Sequence, residues 1–307
     1  MNRYAGAVAA GLALDRVLRE PPDRWHPVAA FGSLMGHVER ALWADRRTPG
    51  GAYALVGLAV GAAAGRALQS VLGAWGGTAV ALTGCVAGTE LRRVAGRVAD
   101  LLEAGDLEAA RAELPRLVGR DPSALDVHGV SAAVVESLAE NAVDAVVAPV
   151  CWALLLGAPG AAAHRAVNTT DSVVGHRSDR YARFGTAAAR LDDVAAWVPA
   201  RAYAVLLAAC RPSAAAGVAR AVRRDAPAHP SPNAGVAEAA MAAALGVELG
   251  GPLRYGDREE DRPRLGRGPR PGPQDVRAAL ELADRVERLL LALLVIAAAA
   301  GRAPHDA

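Results

Sequence analysis

The chain has no lysine, and all 34 of its basic residues are arginine. Without lysine there is no P-loop ammonium to reach nucleotide phosphates in a Walker-type site, and no Schiff base with a carbonyl substrate or pyridoxal phosphate. Cysteine is almost as scarce. Cys85, Cys151 and Cys210 each sit inside an apolar run with no paired spacing, which excludes a zinc or disulfide framework and predicts buried, reduced thiols. Aromatic residues make up only 4% of a chain that is 52% apolar. Ala, Val and Leu carry the apolar content, a helical and membrane-compatible vocabulary. The formal net charge is only +2, so there is no basic field for a nucleic acid. Internal repeats are missing, as is any period-two alternation closed by hairpin turns, which predicts an essentially all-α fold.

What is present is long apolar stretches, at 51–65, 67–88, 145–163, 194–210 and 289–300. A span needs roughly 20 residues, so 67–88 and 145–163 qualify directly. The last stretch joins the helical pattern before it into one C-terminal helix over 274–301, and Pro199 and Arg201 make 194–210 a short span or an interfacial helix. The N-terminal run up to Asp15 is short and lacks a small-residue cleavage site, so it is read as retained. Residues 89–130 read as a helical hairpin insert broken at Gly105 and Asp106, and the Pro-, Gly- and Arg-rich 252–273 as a loop. Segments 15–50, 89–144 and 211–288 hold six, six and thirteen arginines and are assigned to the cytoplasmic side. Segment 164–193 holds five more. It reaches the same side if 145–163, interrupted by Pro149, Gly157, Pro159 and Gly160, enters the bilayer and returns. The expectation is one polytopic, all-α integral membrane domain over 1–307 with a cytoplasmic helical insert.

Three polar blocks interrupt this apolar background. Glu136, Glu140 and Asp144 lie four residues apart, which on a regular helix stacks three carboxylates on one face. Like charges so placed repel unless they share something positive, so a cation or cationic substrate is implied. In the second block Arg165, Asn168 and Asp171 recur every three residues, with Asp192 and Asp193 further on. Carboxylates and amides without cysteine suit a hard cation, magnesium above all, because it is held by few carboxylates plus substrate phosphates. In the third, His229-Pro230-Ser231-Pro232 must be an extended approach to a helix capped by Ser231 or Asn233 and closed at Gly246. The N-terminus of that helix is a seat for phosphate, with Glu238 a turn inside. His26-Pro27 and His229-Pro230 each offer an acid or base near neutral pH.

Six ordered blocks together resemble the CobD/CbiB cobalamin-biosynthesis family. They are D-R-x-x-x-E-P-P…H-P-V at 15–28, ESLAEN-x-x-D at 136–144, VAP at 147–149, RAVNT-x-DS-x-VG at 165–175, FG-x-x-x-ARLDD at 184–193 and HPSPNAG-x-x-EAAMA at 229–242. Departures from the family pattern are Arg19, His176 and Ala145, and the basic residue expected near Pro263 is Arg262, in a loop made more acidic by Glu259, Glu260 and Asp261. The resemblance implies a membrane-bound adenosylcobinamide-phosphate synthase, which joins (R)-1-aminopropan-2-ol or its O-phosphate to the free propionate carboxyl of adenosylcobyric acid with ATP. Its partners would be that corrinoid, the amino alcohol and the lipid bilayer of the cytoplasmic membrane, with no nucleic acid. Activating a carboxylate by phosphoryl or adenylyl transfer needs metal-held phosphates and a base for the amine. The expected magnesium ligands are Glu136, Glu140, Asp144, Asp171, Asp192 and Asp193. Asn141, Asn168 and Asn233 would orient phosphate or corrin amides, Arg165, Arg177 and Arg224 would hold anions, and Ser231 and Glu238 would complete the substrate site. Glu140, Asp171 and His229 are the expected catalytic residues, His229 as the base. From another class, a polytopic transporter would use intramembrane carboxylates as an ion path, but the paired broken helices of two related halves are missing.

Overall fold

The computed structural model describes residues 3–18, 26–175, 178–255 and 258–301, and the side chains of 253–261 fall outside that description, as do Glu20, His176 and Arg177. Helices α1 (Ala5–Val17), α2 (Pro27–Leu42), α3 (Arg47–Cys85), α4 (Gly88–Glu103), α5 (Leu107–Glu113) and α6 (Val127–Ala142) come first. A π-helical turn at Val143–Val147 leads into α7 (Ala148–Leu156), α8 (Ala158–Val174), α9 (Thr186–Cys210), α10 (Ala215–Arg224) and α11 (Ala234–Leu245). Strands β1 (Glu248–Tyr255) and β2 (Arg258–Gly266) precede α12 (Pro273–Ala300). The fold is helical as predicted, and Arg47–Glu103, Val127–Leu156 and Thr186–Cys210 are long and apolar enough to cross a membrane.

Where the sequence predicts one domain, the chain forms two compact units, each built from separated segments: Met1–Ala87, Asp144–Ala196 and Leu291–Ala307, then Gly88–Val143 and Trp197–Leu290. Sequence order hides this division because α9 and α12 each run from one unit into the other.

The first unit is organised by a seam of small residues. Gly57, Gly61 and Gly65 recur every four residues on α3 and meet α8 at Thr170, at Ala162 and Ala166, and at Ala158. A Cβ at Gly61 would lie 2.5 Å from the Ala166 Cβ, and one at Gly65 2.4 Å from the Ala158 carbonyl oxygen. Such contact brings two backbones together without large side chains, as small-xxx-small pairs do in membranes. Two reversals frame the seam. At Gly73 (φ 73°, ψ 171°) α3 turns back on itself, so that a Cβ on Gly77 would lie 2.6 Å from the Gln69 Cα. In a straight helix eight residues span about 12 Å. At Gly157 (φ 69°) the chain reverses again between α7 and α8, and Gly160 closes onto the Trp152 carbonyl. The expected span at 145–163 is therefore a helical hairpin, not one straight helix. Phe184 is fully buried with Met35, Tyr53 and Val174, its ring 5.3 Å from that of Tyr53, so the FG of the fifth block serves the core.

In the second unit, the predicted insert is α4 and α5, with Asp106 capping α5 by accepting from the Ala109 amide at 3.0 Å. Helix α4 buries Val94, Ala95, Val98, Ala99 and Leu102. The predicted loop at 252–273 is corrected: residues 252–255 pair with 258–261 and residues 262–266 with 248–251, an antiparallel β-hairpin in which Leu249 opposes Leu265, both fully buried, ahead of an irregularity between Leu249 and Gly251. Proline, glycine and arginine hide the strand because only this one cross-strand pair supplies an apolar signal and backbone bonds carry the rest. Helix α11 is buried nearly throughout and ends at left-handed Gly246, as predicted.

Leucine at position 61 must force α3 and α8 apart and is expected to destabilise the protein by about 1–3 kcal/mol, read as a lower unfolding midpoint in detergent. Gly32→Ala, at a site with nothing within 4 Å, should leave that midpoint unchanged or raised.

Candidate functional site

The expected site residues fall mainly into two polar clusters, one in each unit. In the first, the α7–α8 reversal returns the chain so that Asn168 on α8 donates from Nδ2 to Asp144 Oδ2 at 3.1 Å and to Asp192 Oδ1 at 3.4 Å. One amide thus joins carboxylates 48 positions apart in sequence (192 − 144). Arg165 Nη1 donates to Asn168 Oδ1 at 3.5 Å and orients the amide from the other side. Asp171 lies one turn along α8 and packs so tightly on Gly175 that a Cβ there would sit 1.7 Å from its Oδ1. Asp193 follows Asp192 on α9, half-buried. Sequence reasoning passed over His164, one turn before Asn168. It is 3% exposed, and neither ring nitrogen has a hydrogen-bond partner among the described residues. Its signal was the i, i+4 spacing to Asn168.

The second cluster corrects the reading of the carboxylate trio. The positive partner that Glu136 calls for is internal: Arg120 pairs with its Oε2, and the Gly250 amide donates to its Oε1 at 2.8 Å. Both oxygens of Glu136 therefore accept from protein donors. The regular i, i+4 stack also ends at Asp144, because the period lengthens in the π-turn at Val143–Val147. Glu140 is exposed, the solvent-facing member of its group, and interacts with Arg262, Arg120 and Glu136. Asn141 donates to the Ser137 carbonyl and hydroxyl at 3.0 and 3.1 Å.

From the other wall, extended His229 brings its Nε2 to 2.9 Å from Arg262 Nη1 and 3.8 Å from Glu238 Oε1. A guanidinium can only donate. Nε2 therefore accepts, and Nδ1 lies 3.1 Å from both the Ser231 carbonyl and the Ser231 amide. Ser231 Oγ accepts from the Ala234 amide at 3.2 Å and caps α11, while Asn233 Oδ1 accepts from Arg201 at 3.0 Å. Burial, reinforced by the negative Glu136 and Glu140, holds the Glu238 carboxyl well above the usual carboxylate range. Arg224 forks onto Asp225 at 2.6 and 2.7 Å, which uses its anion-binding geometry within the protein. Arg177 lies outside the described residues. Arg120 and Arg262, absent from the expected site residues, are central to it; the glutamates in need of a cation were the signal for Arg120, and the basic position that the family pattern expects near Pro263 was the signal for Arg262.

Among the described residues no group of three His, Cys, Asp or Glu is placed to hold a metal ion. Of the six expected carboxylates, Glu136 and Glu140 belong to one unit and Asp144, Asp171, Asp192 and Asp193 to the other. Asp144 and Asp192, held by one amide, fit a cation that takes few protein ligands and completes its shell with phosphates.

These features define a class: a helical protein with membrane-spanning potential whose helices carry carboxylate, amide and guanidinium clusters. The model of the CobD/Cbib protein family matches residues 8–283, and the chain belongs to that family. "Cobalamin biosynthesis protein CobD" of Mycobacterium tuberculosis is 48% identical over 291 residues, covering 92% of each chain. Proteins of the same name from Chromobacterium violaceum, 41% identical over 302 residues and 94% of each chain, and from Rhodobacter capsulatus, 40% identical over 297 residues, 92% of this chain and 93% of the relative, are also similar. No solved structure matches.

Losing Arg120 leaves Glu136 buried without its cation. Arg120→Met is expected to cost about 3–5 kcal/mol, and Arg120→Met with Glu136→Gln should recover much of it in chemical unfolding of the purified protein. Glu238 gives a pH test. Its folded carboxyl holds a proton that the unfolded chain releases above about pH 4.3. Stability that is full below that value should fall as pH rises toward the raised folded value, and Glu238→Gln should flatten the slope of the unfolding midpoint against pH.

Proposed function

We propose that this chain is a biosynthetic enzyme of the cytoplasmic membrane that forms the amide between (R)-1-aminopropan-2-ol, or its O-phosphate, and the free propionate carboxyl of adenosylcobyric acid. The observation that carries this reading is membership of the CobD/CbiB family over residues 8–283, together with relatives whose shared name assigns them to cobalamin biosynthesis. When bound, ATP and magnesium would supply the leaving group for the carboxyl oxygen by phosphoryl or adenylyl transfer. Asp144 and Asp192 would hold the metal, with Asp171 and Asp193 beside them, and Asn168 and Arg165 would fix their orientation. That orientation matters because groups of this second shell tune both ligand geometry and affinity.

The remaining work falls to residues able to hold anions and move a proton without lysine. Arg262 is the anion-binding group of the second cluster, and a phosphate or carboxylate that draws it away would free the His229 Nε2 lone pair. His229 would then accept the proton of the attacking amine. The Glu238 carboxyl would face the protonated ring through its Oε1, 3.8 Å from Nε2. Glu140, open to solvent, would meet the incoming substrate, while Asn141 and Asn233 line its approach.

Membranes carrying the protein, given adenosylcobyric acid, aminopropanol phosphate, ATP and magnesium, should produce adenosylcobinamide phosphate. Asn168→Ala should slow the reaction roughly 10–100-fold at equal protein level. Wild-type membranes that make no amide but take up corrinoid into vesicles would replace the enzyme with a transporter.

A further inference from the structure

The reversal of α3 leaves a feature that neither polar cluster uses. A cavity of about 370 Å³ is lined by Arg3, Tyr4, Arg66, Gln69, Ser70 and Ala74, all in the first unit. Two of its six lining residues are guanidiniums and none is a carboxylate. Among the described residues Arg66 has no ion pair or hydrogen bond, and Arg3 lies over the Tyr4 ring at 4.7 Å, a contact that leaves its N–H donors available. Arg66, Gln69 and Ser70 are spaced i, i+3, i+4 and share one helical face. Ser70 donates to the Ala67 carbonyl at 2.7 Å, which leaves its oxygen able to accept. Beside the cavity the turn is apolar and open: Val71 is 79% exposed, Leu72 47% and Trp75 54%.

We infer that this cavity binds the phosphate of an anionic phospholipid. Two unneutralised guanidiniums with an amide and a hydroxyl form a donor set for a phosphodiester. A free phosphate would satisfy the same donors but has no use for Val71, Leu72 and Trp75. Acyl chains do, and tryptophan at the rim is the residue that settles at the level of lipid headgroups. Basic pockets between membrane helices take anionic headgroups on the same grounds. The site is independent of the amide-forming chemistry, and its ligand is a lipid, not a substrate.

The test uses full-length protein in nanodiscs of equal phosphatidylglycerol and phosphatidylcholine, with retained lipid counted by native mass spectrometry. The wild type should keep phosphatidylglycerol over phosphatidylcholine by on the order of tenfold, as expected for two basic residues near a headgroup. Arg3→Gln with Arg66→Gln should erase the preference, Arg66→Lys should retain part of it, and Arg220→Gln, at an exposed position on α10, should leave it intact. Equal retention of both lipids by the wild type overturns the inference, as does an unaltered preference in the double variant. Removal of the bound lipid by inorganic phosphate alone would show an anion site with no lipid specificity and would overturn it as well.

Discussion

The first unit depends on how closely two backbones can approach. Gly57, Gly61 and Gly65 leave α3 without side chains along one stripe, and α8 fills that stripe with alanines and the Thr170 hydroxyl. Where lipid tails are as apolar as leucine, burial alone does little to join helices, and close van der Waals contact does the joining. The seam fixes the rotation of α8, whose opposite face then carries Arg165, Asn168 and Asp171. The Asp144–Asn168–Asp192 contact follows from that rotation and from the reversal at Gly157. A helix free to turn by a single residue would swing Asn168 about 100° away from both carboxylates.

The second unit works under a different constraint: buried charge must be neutralised in place. Glu136 and Glu238 are both below a tenth exposed, and isolated carboxylates at such positions would be costly. Arg120 answers Glu136 directly. Burial raises the Glu238 pKa well above the usual carboxylate range, which favours its protonated form. Arg262 and His229 occupy the space between, their contact fixing the imidazole tautomer. A protein without lysine has only guanidinium for these tasks, and its planar fork suits buried pairing better than an ammonium would.

Much of this was legible in the chain. Gly105 and Asp106 marked the α4–α5 break, Ser231 the cap of α11 and Gly246 its end, because caps and turns are decided within a few residues. The interruptions at Pro149, Gly157 and Gly160 revealed that 145–163 could not run straight. Partners remote in sequence were another matter. Nothing near Glu136 names Arg120 or the Gly250 amide, and nothing near His229 names Arg262. The β-hairpin escaped for a related reason, since Leu249 and Leu265 become a pair only once the strands are aligned.

By itself, then, the sequence determined a lysine-free, helical chain with membrane-length apolar segments and six polar blocks of the CobD/CbiB family. Those properties are local: composition, period and capping. The tertiary structure decided which carboxylates keep company with a cation already present in the protein and which remain paired through an amide. That choice rests on long-range packing, where glycine stripes, a π-turn and a strand register set distances that no local spacing encodes.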